Sequence, residues 1–465
     1  MFISNLPFFY YMPIPVEIKK FLRREGIVLL VRGAPGTGKT TLALEIMKNY
    51  NFAYLGTKKN IEEMERTHPW ISKDMKEKMF AIEEKYSYED TQSFGQMFYL
   101  VPESLRHVLN LHERGDIEGI IVDSWHAVIN ELNLKAMEEK EREELYDSSS
   151  LFMKIVRFSD NGVKFIIVKE GEEDDELSYL ADGLVTMYRK IEDGRIYRWL
   201  QIEKLRGETI GKNRYFYTLQ GSRFTHFTSG SFKHPRNIGG VDKENLKYIE
   251  SVYFGDVFNY KSGNVIVFDY GEYVPKNYKI IPIMGFIAGH IVRGGKALII
   301  PPNDIDMSEL KYFIYLFALE RFYSNIVYIH GSDAMESFSK KVNMSKPHDI
   351  VKAVLDELND YSGPTPPVVI VGYDRLYSYL TSREIMQVLY RIKDAIKIRG
   401  GVMLIAGNIT DKEIKIFSSS ISEVYVKFHN NGGDVIMYGI KPWTHVYHLD
   451  VKYNRFPRIV KRVMV

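Results

Sequence analysis

Short apolar runs alternate along the chain with longer stretches in which apolar residues recur at helical spacing. In the first half, the runs at 26–32, 51–56, 119–124 and 163–170 are rich in β-branched residues, as is typical of parallel strands buried on both faces. The later runs "DGLVTMYRK" and "RIYRWLQIEKLRG" predict antiparallel strands at the sheet edge. This order predicts an α/β domain with a mostly parallel central sheet.

The second half repeats the order of the first. Runs at 264–269, 296–302, 368–374 and 401–408 predict parallel strands, and "SEVYVKF" and "DVIMYGIKPWTHVYHL" predict edge strands. Because identity between the halves is slight, duplication is inferred from element order alone. A stretch rich in Gly, Ser and Pro indicates the boundary. We therefore predict a domain over 1–227, a linker over 228–240 and a second α/β domain over 241–465.

Composition limits the class of protein. A chain of 465 residues fits two or three domains, and two is the simplest reading. With 62 Lys and Arg against 60 Asp and Glu, the overall charge indicates neither a nucleic-acid coat nor an acidic-ligand trap. The absence of cysteine excludes disulfides, thiolate zinc sites and cysteine nucleophiles, and it fits an intracellular protein. The 26% of charged residues resembles thermophile composition.

No segment is expected to cross a membrane. The apolar N-terminus is interrupted by proline and lacks a basic region and a cleavage site, so we expect a packed leader segment. The apolar run at 279–302 contains His290, Arg293 and Lys296, which leaves it short of the roughly 20 uncharged residues that a spanning helix needs. These features predict a cytoplasmic protein.

The segment "GAPGTGKT" has the G-x-x-x-x-G-K-[ST] pattern, after an apolar strand and before an amphipathic helix. Glycines let backbone N–H groups curl around an anion, and the helix N-terminus adds partial positive charge. We expect Lys39 to reach the β- and γ-phosphates and the Thr40 hydroxyl to bind Mg²⁺. The predicted nucleotide-binding residues are Gly33, Ala34, Pro35, Gly36, Thr37, Gly38, Lys39, Thr40 and Thr41.

A nucleotide site of this kind also needs an acidic residue at the end of a buried strand to hold Mg²⁺. Asp123 follows four apolar residues in "IEGIIVDSWHAVIN". An Asp at such a place also serves commonly as a helix cap. Paired with the upstream loop, the magnesium role is the better interpretation.

Together with "ELSYLADGLVTMYRK" and "LQIEKLRGETIGKNRYFYTLQGSRFTHF", these residues resemble RecA-superfamily ATPases of the KaiC/Rad55 branch. "FAYLGTKK", "HPWI" and "KLRG" look most like archaeal proteins related to the gas-vesicle regulator GvpD. The resemblance covers about 12–227 well and is weak over 241–465. It implies an ATP-binding RecA-like domain followed by a degenerate RecA-like domain.

The resemblance implies that the K-x-R-G motif acts on a neighbouring subunit. In KaiC-like proteins its Lys and Arg reach the γ-phosphate held by the next copy, and here they are Lys204 and Arg206. Such cations stabilise charge that develops in the transition state. The alternative is a pair of exposed strand cations. The first role requires a homo-oligomer, a ring or a dimer, or a partner surface from the second domain.

One expected feature is missing. RecA-like ATPases place a Glu after the strand that follows the phosphate-loop helix, where it activates water. This chain has Thr57, Lys58 and Lys59 there. Thr57 can hydrogen-bond phosphate or water but is a poor base, so hydrolysis should be slow. Glu170, at the end of a strand, is our candidate to replace the acid in part.

The second half lacks a phosphate loop. After 264–269 the chain continues "YGEYVPKNYKIIP", so we expect Asp269 and Glu272 near the place where a phosphate would lie. Carboxylates repel an anion, and Pro275 removes a backbone donor. Asp374 remains after its strand without a phosphate loop to serve. We expect no nucleotide in this domain, and instead roles in packing, oligomerisation or partner recognition.

The C-terminal segment is basic, with Lys452, Arg455, Arg458, Lys461 and Arg462 among aromatic and apolar residues. Such a tail can bind nucleic acid, but a strand with its cations facing water is the favoured interpretation.

Three functions follow from these features. The first is a slowly hydrolysing, nucleotide-switched regulatory ATPase that acts on a protein partner. The second is a DNA-associated Rad55-type paralogue in recombination or repair. The third is a non-hydrolysing pseudo-enzyme that uses ATP as a folding ligand. We prefer the first because the site is intact for binding and weak for chemistry.

Overall fold

The structure is a computed structural model that describes residues 14–84, 101–139, 147–173, 175–227, 261–316, 319–331, 338–453 and 457–464. The chain divides into two compact units, Met1–Thr228 with Val465, and Ser229–Met464. Each unit contains one large sheet. The predicted linker, 228–240, lies outside the described residues.

The first unit has a nine-stranded sheet in the order β3-β2-β4-β5-β1-β6-β7-β8-β9. The strands from β3 to β6 in this order are parallel, and β7 and β8 follow as antiparallel strands. The predicted α/β class is therefore confirmed. The strands are β1 Val28–Gly33, β2 Phe52–Gly56, β3 Met79–Ala81, β4 Gly119–Asp123, β5 Lys164–Glu170, β6 Gly183–Glu192, β7 Arg195–Leu205, β8 Arg214–Thr218 and β9 Thr225–His226.

Helices cover both faces of this sheet. Alternate residues of β1 show the arrangement, since Val28 and Leu30 pack in one apolar layer while Leu29 and Val31 pack in the other. Burial on both faces explains why β1 is an unbroken apolar run rather than an alternating one. The helices are α1 Val16–Phe21, α2 Lys39–Asn49, α3 Lys58–Thr67, α4 Lys73–Lys76, α5 Glu103–Glu113, α6 Trp125–Glu139, α7 Ser148–Asp160 and α8 Glu176–Leu180, with a 3₁₀ turn at Gln220–Ser222.

The second unit has a ten-stranded sheet in the order β13-β12-β11-β14-β15-β10-β16-β17-β18-β19. From β11 to β18 this is the strand order of the first sheet from β2 to β8, which agrees with the repeat inferred from element order. The strands are β10 Val265–Tyr270, β11 Ala297–Ile300, β12 Ile326–His330, β13 Ser339–Lys341, β14 Val368–Gly372, β15 Val402–Gly407, β16 Val424–Asn431, β17 Asp434–Lys441, β18 Val446–Tyr453 and β19 Pro457–Met464.

The helices of the second unit also cover both faces of its sheet. They are α9 Lys276–Ile291, α10 Met307–Leu316, α11 Pro347–Asn359, α12 Tyr373–Tyr377, α13 Ser382–Ile398 and α14 Lys412–Ile421, with a 3₁₀ helix at Glu320–Asn325.

The apolar run at 279–302 forms most of α9 and then β11. Residues on every side of α9 are buried, which explains its lack of a polar face. No helix in the described ranges is long and apolar enough to span a bilayer. The basic C-terminal segment forms the backbone of β19, and Arg455 and the side chains of Lys452, Arg458, Lys461 and Arg462 lie outside the described residues.

Candidate nucleotide site

The phosphate-binding loop joins β1 to α2 at the carboxyl edge of the first sheet. Strand β1 is parallel to both β5 and β6, so its last residue, Gly33, emerges at the edge where other parallel strands also end. Gly38 has a φ of 92°, a left-handed conformation that favours glycine. A Cβ at Gly38 would also come within 2.7 Å of the Leu219 side chain. The backbone conformation therefore favours glycine where the loop enters α2, and the Leu219 side chain fills the space beside it.

Lys39 begins α2 and lies folded over the loop. Its side chain is buried, and Nζ donates hydrogen bonds to the carbonyls of Gly33 at 2.8 Å and Ala34 at 3.1 Å. Burial lowers the pKa of Lys39, while the negative charges of Glu170 and Asp123 oppose that shift. A buried ammonium held by carbonyls at a helix N-terminus is well placed to pair with phosphate oxygens.

Thr40 and Asp123 come together below the loop. The Thr40 hydroxyl hydrogen-bonds the Asp123 carboxylate, which is buried at the end of β4. Burial raises the pKa of Asp123, and the bonds to Thr40 and Tyr54 oppose the rise. The Oδ2 atom of Asp123 is buried and has no hydrogen-bond partner among the described residues.

This pair fits Mg²⁺ by its chemistry. Magnesium is bound in nucleotide sites through one or two side-chain oxygens together with substrate phosphates and water. The Thr40 hydroxyl and the unpaired Asp123 oxygen would supply such ligands. No cluster of three or more His, Asp or Glu suited to a metal occurs in the described part of the chain. When bound, Mg²⁺ would neutralise charge on the β- and γ-phosphates.

Glu170 lies beside the loop. Glu170 is the last residue of β5 and the register partner of Gly33. It lines the same cleft as Lys39, Thr40 and Asp123. Among the charges that raise the Lys39 pKa, that of Glu170 ranks first. The sequence-based candidate for the missing acid therefore lies at the phosphate end of the cleft.

Thr57 has a structural role in this arrangement. Its hydroxyl caps α3 by accepting a hydrogen bond from the Asn60 backbone N–H at 3.3 Å. The Glu83 carboxylate accepts from the Lys58 backbone N–H at 2.9 and 2.8 Å. Thr57 is not among the described residues that line the cleft. The end of β2 is therefore used to start a helix.

Lys204 and Arg206 lie away from the phosphate loop of their own unit. The strand pairing places Leu205 opposite Gly183, which pairs in turn with Leu29 near the start of β1. Gly33 lies four positions beyond Leu29, about 13 Å along a strand. Within one copy, the structure does not bring these cations to the loop.

Both cations are held at the surface. Lys204 Nζ donates to the carbonyls of Ser178 and Tyr179 at 2.8 and 3.2 Å. Arg206 pairs with Asp182 at 3.3 Å and also donates to the Tyr179 carbonyl. This surface location is the one that action on a second copy requires.

A buried arginine connects this region to the loop. Arg32, directly before Gly33, donates to the Thr186 hydroxyl at 2.9 Å, pairs with Glu203 at 3.0 Å and contacts the Ser178 hydroxyl at 3.3 Å. The backbone carbonyl of Ser178 also accepts a hydrogen bond from Lys204. Arg32, at the end of β1 next to the phosphate loop, and Lys204 therefore both bond to Ser178.

The carboxyl edge of the second sheet differs in chemistry. Asp269, next to the last residue of β10, is bonded within the unit: its carboxylate accepts hydrogen bonds from the Tyr425 hydroxyl at 2.9 Å and the Ile409 N–H at 3.3 Å, and it pairs with Lys415 at 3.4 Å. Lys276 and Lys279 pair with Glu309 at 2.8 Å and Asp304 at 2.5 Å. Their charges are therefore neutralised within the unit.

Helix α3 supplies cleft residues that sequence reasoning missed. Asn60, Glu63, Met64 and Thr67 line the cleft with His68, which follows the helix. Their spacing of three or four residues was the available signal for a shared helix face. The motif "HPWI" contributed to the family resemblance, but no role was assigned to His68.

The fold and the site together define the class: a P-loop nucleotide-binding α/β domain with RecA-like strand order. Residues 22–225 match the family model "ATPase: KaiC". The chain is 21% identical to Protein GvpD1 of Halobacterium salinarum over 383 residues, which are 72% of this chain and 67% of that protein. It is 28% identical to Protein GvpD2 of the same organism over 229 residues, which are 46% of this chain and 44% of that protein. The first unit thus contains a KaiC-type ATPase domain, and the chain resembles GvpD.

Proposed function

We propose that this protein is a regulatory switch that binds ATP with Mg²⁺, hydrolyses it slowly and signals the occupancy of the site to a protein partner. One observation supports the proposal: Lys39 is bonded to the loop carbonyls and Thr40 to the buried Asp123, whereas the end of β2 supplies a helix cap instead of a carboxylate. The resemblance to GvpD-like regulators supports a protein partner.

Glu170 is the proposed residue for activating water. Of the carboxylates that line the cleft, Asp123 is bonded to Thr40, while Glu170 lies on the side of Lys39, the residue expected to hold the γ-phosphate. The end of β2 offers Thr57, a poor base, in place of a carboxylate, so we expect slow turnover.

The connection from Arg32 through Ser178 to Lys204 supports a route from the loop to the surface. Phosphate binding draws Lys39 from the Gly33 and Ala34 carbonyls and thus acts on the chain next to Arg32. A shift of the Arg32 side chain would then move Ser178, whose carbonyl accepts a hydrogen bond from Lys204. We propose that Lys204 and Arg206 act on the nucleotide of a neighbouring copy, so that occupancy and assembly are linked.

The test is steady-state phosphate release from the full chain, with and without DNA. Slow release that Lys39→Ala abolishes is expected. Glu170→Gln should lower the rate about tenfold or more while ATP affinity changes little. Glu172→Gln is the matched control. The negative charge of Glu172 also raises the pKa of Lys39, but Glu172 is not among the described residues that line the cleft.

Three results would redirect the proposal. Stimulation by DNA with a steep salt dependence would favour the recombination role. ATP binding without release above background would favour the pseudo-enzyme. Light scattering that shows a monomer with and without ATP would exclude action of Lys204 and Arg206 between copies.

A further inference from the structure

Three side chains form a row across β6, β7 and β8 at one level of the first sheet. Arg189 is the register partner of Arg198, and the pairing of β7 with β8 brings Arg198 next to Tyr217. Residues opposite each other on neighbouring strands share a face of the sheet. The preceding row on this face belongs to the apolar layer that packs on α2, and consists of Met187, Leu200 and Tyr215. The row of Arg189, Arg198 and Tyr217 therefore lies at the top of that layer, toward the phosphate loop.

Both ends of this row contact the phosphate loop. The Tyr217 hydroxyl donates a hydrogen bond to the Thr37 carbonyl. At the other end, a Cβ placed on Gly36 would lie 3.1 Å from Arg189 Nη1. Gly36 also lines the cleft in which we expect the phosphates. Because Arg198 lies between these two contacts, both guanidinium groups adjoin the tip of the loop.

The two guanidinium groups are not neutralised by the described part of the chain, where neither forms an ion pair. Arg198 is half-buried, and its Nε is buried without a hydrogen-bond partner among the described residues. Burial lowers the pKa of Arg198 and the positive charge of Arg189 adds to that shift, while no described carboxylate opposes it. Like charges on facing strand residues are destabilising, and a half-buried cation without a counter-charge is costly. Such an arrangement is expected where an anion binds.

The adjoining loop is suited to the phosphate chain of a nucleotide, so that chain is the anion expected here. We propose that Arg189 and Arg198 bind the phosphates held by the loop of their own copy, as a second cationic group besides Lys39. Arginine suits this role because its planar guanidinium can donate two hydrogen bonds to a phosphate. The inference rests on the proposed nucleotide site and adds two residues to it.

This cation pair differs from Lys204 and Arg206, which lie away from the loop of their own copy and are proposed to act on a neighbouring one. With Arg189 and Arg198 beside its own loop, a single copy can compensate the phosphate charge before a second copy is present. Nucleotide binding would then precede assembly.

The experiment measures the affinities of ATP and inorganic tripolyphosphate for the full chain with Mg²⁺, by calorimetry at low and high salt. Arg189→Gln and Arg198→Gln should each weaken both probes about tenfold, as expected for loss of a charge-assisted hydrogen bond. The loss should be equal for the two probes, because the pair acts on phosphates and tripolyphosphate has no base. For the exposed Arg189 it should become smaller at high salt, because salt screens exposed charges.

Lys190→Gln is the matched control. Lys190 is an exposed cation directly after Arg189, and successive strand residues point to opposite faces of the sheet. Its variant should keep both affinities within about twofold. Arg198→Lys keeps the positive charge and should retain more affinity than Arg198→Gln, which separates charge from packing. Because Arg189 is exposed, Arg189→Gln tests the inference even if Arg198→Gln fails to fold.

The inference is overturned if Arg189→Gln leaves both affinities within about twofold of wild type, or if Lys190→Gln causes an equal loss, which would indicate a general effect of net charge. A separate titration with a single-stranded oligonucleotide covers the other source of phosphate. If Arg189→Gln weakens that binding while ATP affinity is unchanged, the pair serves nucleic acid and the inference is wrong. A wild-type chain that binds neither ATP nor tripolyphosphate contradicts the nucleotide site itself.

Discussion

In both units the central strand is followed by a five-residue loop and then by a lysine at the first position of the next helix. The loops are 34–38 before Lys39 and 271–275 before Lys276. Lys39 is bonded to loop carbonyls, which leaves it free to exchange them for phosphate, while Lys276 is paired with Glu309. Strand order and loop length are thus the same in the two units, while the chemistry at the edge differs.

The acidic residues at the end of β4 and just after β14 show the same contrast: one has an unpaired oxygen, and the other is bonded to backbone groups. Strand β4 ends at Asp123, with an unpaired buried oxygen beside Thr40. Strand β14 ends at Gly372, and Asp374 lies one residue into the following helix, where its Oδ1 accepts from the backbone N–H groups of Asn303 and Arg375 at 3.2 and 3.0 Å. A retained sheet therefore does not require a retained ligand site.

The largest expected effect is at the two lysines. Lys39→Ala should weaken ATP binding by at least about 100-fold, because it removes the cation that pairs with the β- and γ-phosphates. Lys276→Ala is the matched substitution in the second unit and should leave ATP affinity unchanged. Calorimetric titration of both variants measures the difference, and equal losses would contradict the contrast between the edges.

The next effect concerns magnesium. Asp123→Asn should remove most of the gain in ATP affinity that Mg²⁺ provides, by about tenfold or more, because the carboxylate charge that attracts the ion is lost. The measurement compares ATP affinity in Mg²⁺ with that in a chelator. Asp374→Asn is the control and should behave as wild type, so a magnesium defect there would show that the second edge also takes part.

The smallest effect concerns stability in acid. Burial by itself raises the pKa of Glu357, but hydrogen bonds from Lys296 at 2.6 Å and Lys340 at 3.1 Å outweigh it and hold that pKa below its usual value. A lowered pKa in the folded state stabilises the fold above the unfolded value of 4.5, and this contribution is lost as the pH falls through the folded pKa.

Glu357→Gln should therefore lower the free energy of unfolding of the second unit by about 1 kcal/mol at pH 7, and by less at pH 3. Urea unfolding at the two pH values checks this. Glu272→Gln, an exposed carboxylate of the same unit, should change neither value. A Glu357 effect that is equal at both pH values would show that the ion pairs do not cause it.

Most of the fold was predictable because parallel strands buried on both faces appear in the sequence as runs of β-branched residues. Strands β3, β8, β9, β12 and β13 were missed. Two of them have only three residues, and a short apolar run such as Ile326–His330 cannot be told from a helical segment by periodicity.

The phosphate loop and Asp123 were predictable because both follow strands whose carboxyl ends meet at one edge. The cleft residues of α3 were not, since contact of Glu63 and His68 with the cleft depends on how α3 packs in the unit. A local signal was available for Thr57: a threonine directly before a helical stretch is a common N-cap. Reading it as a cap would have given Thr57 the structural role that the structure shows.

The central claim is that one edge binds nucleotide and the other, neutralised by its own ion pairs, does not. Titration of ATP with Mg²⁺ into the full chain measures the number of sites directly. The account predicts one nucleotide per chain in the wild type and in Lys276→Ala, and none in Lys39→Ala at the same concentrations. Two nucleotides per chain, or one that persists in Lys39→Ala, would contradict it.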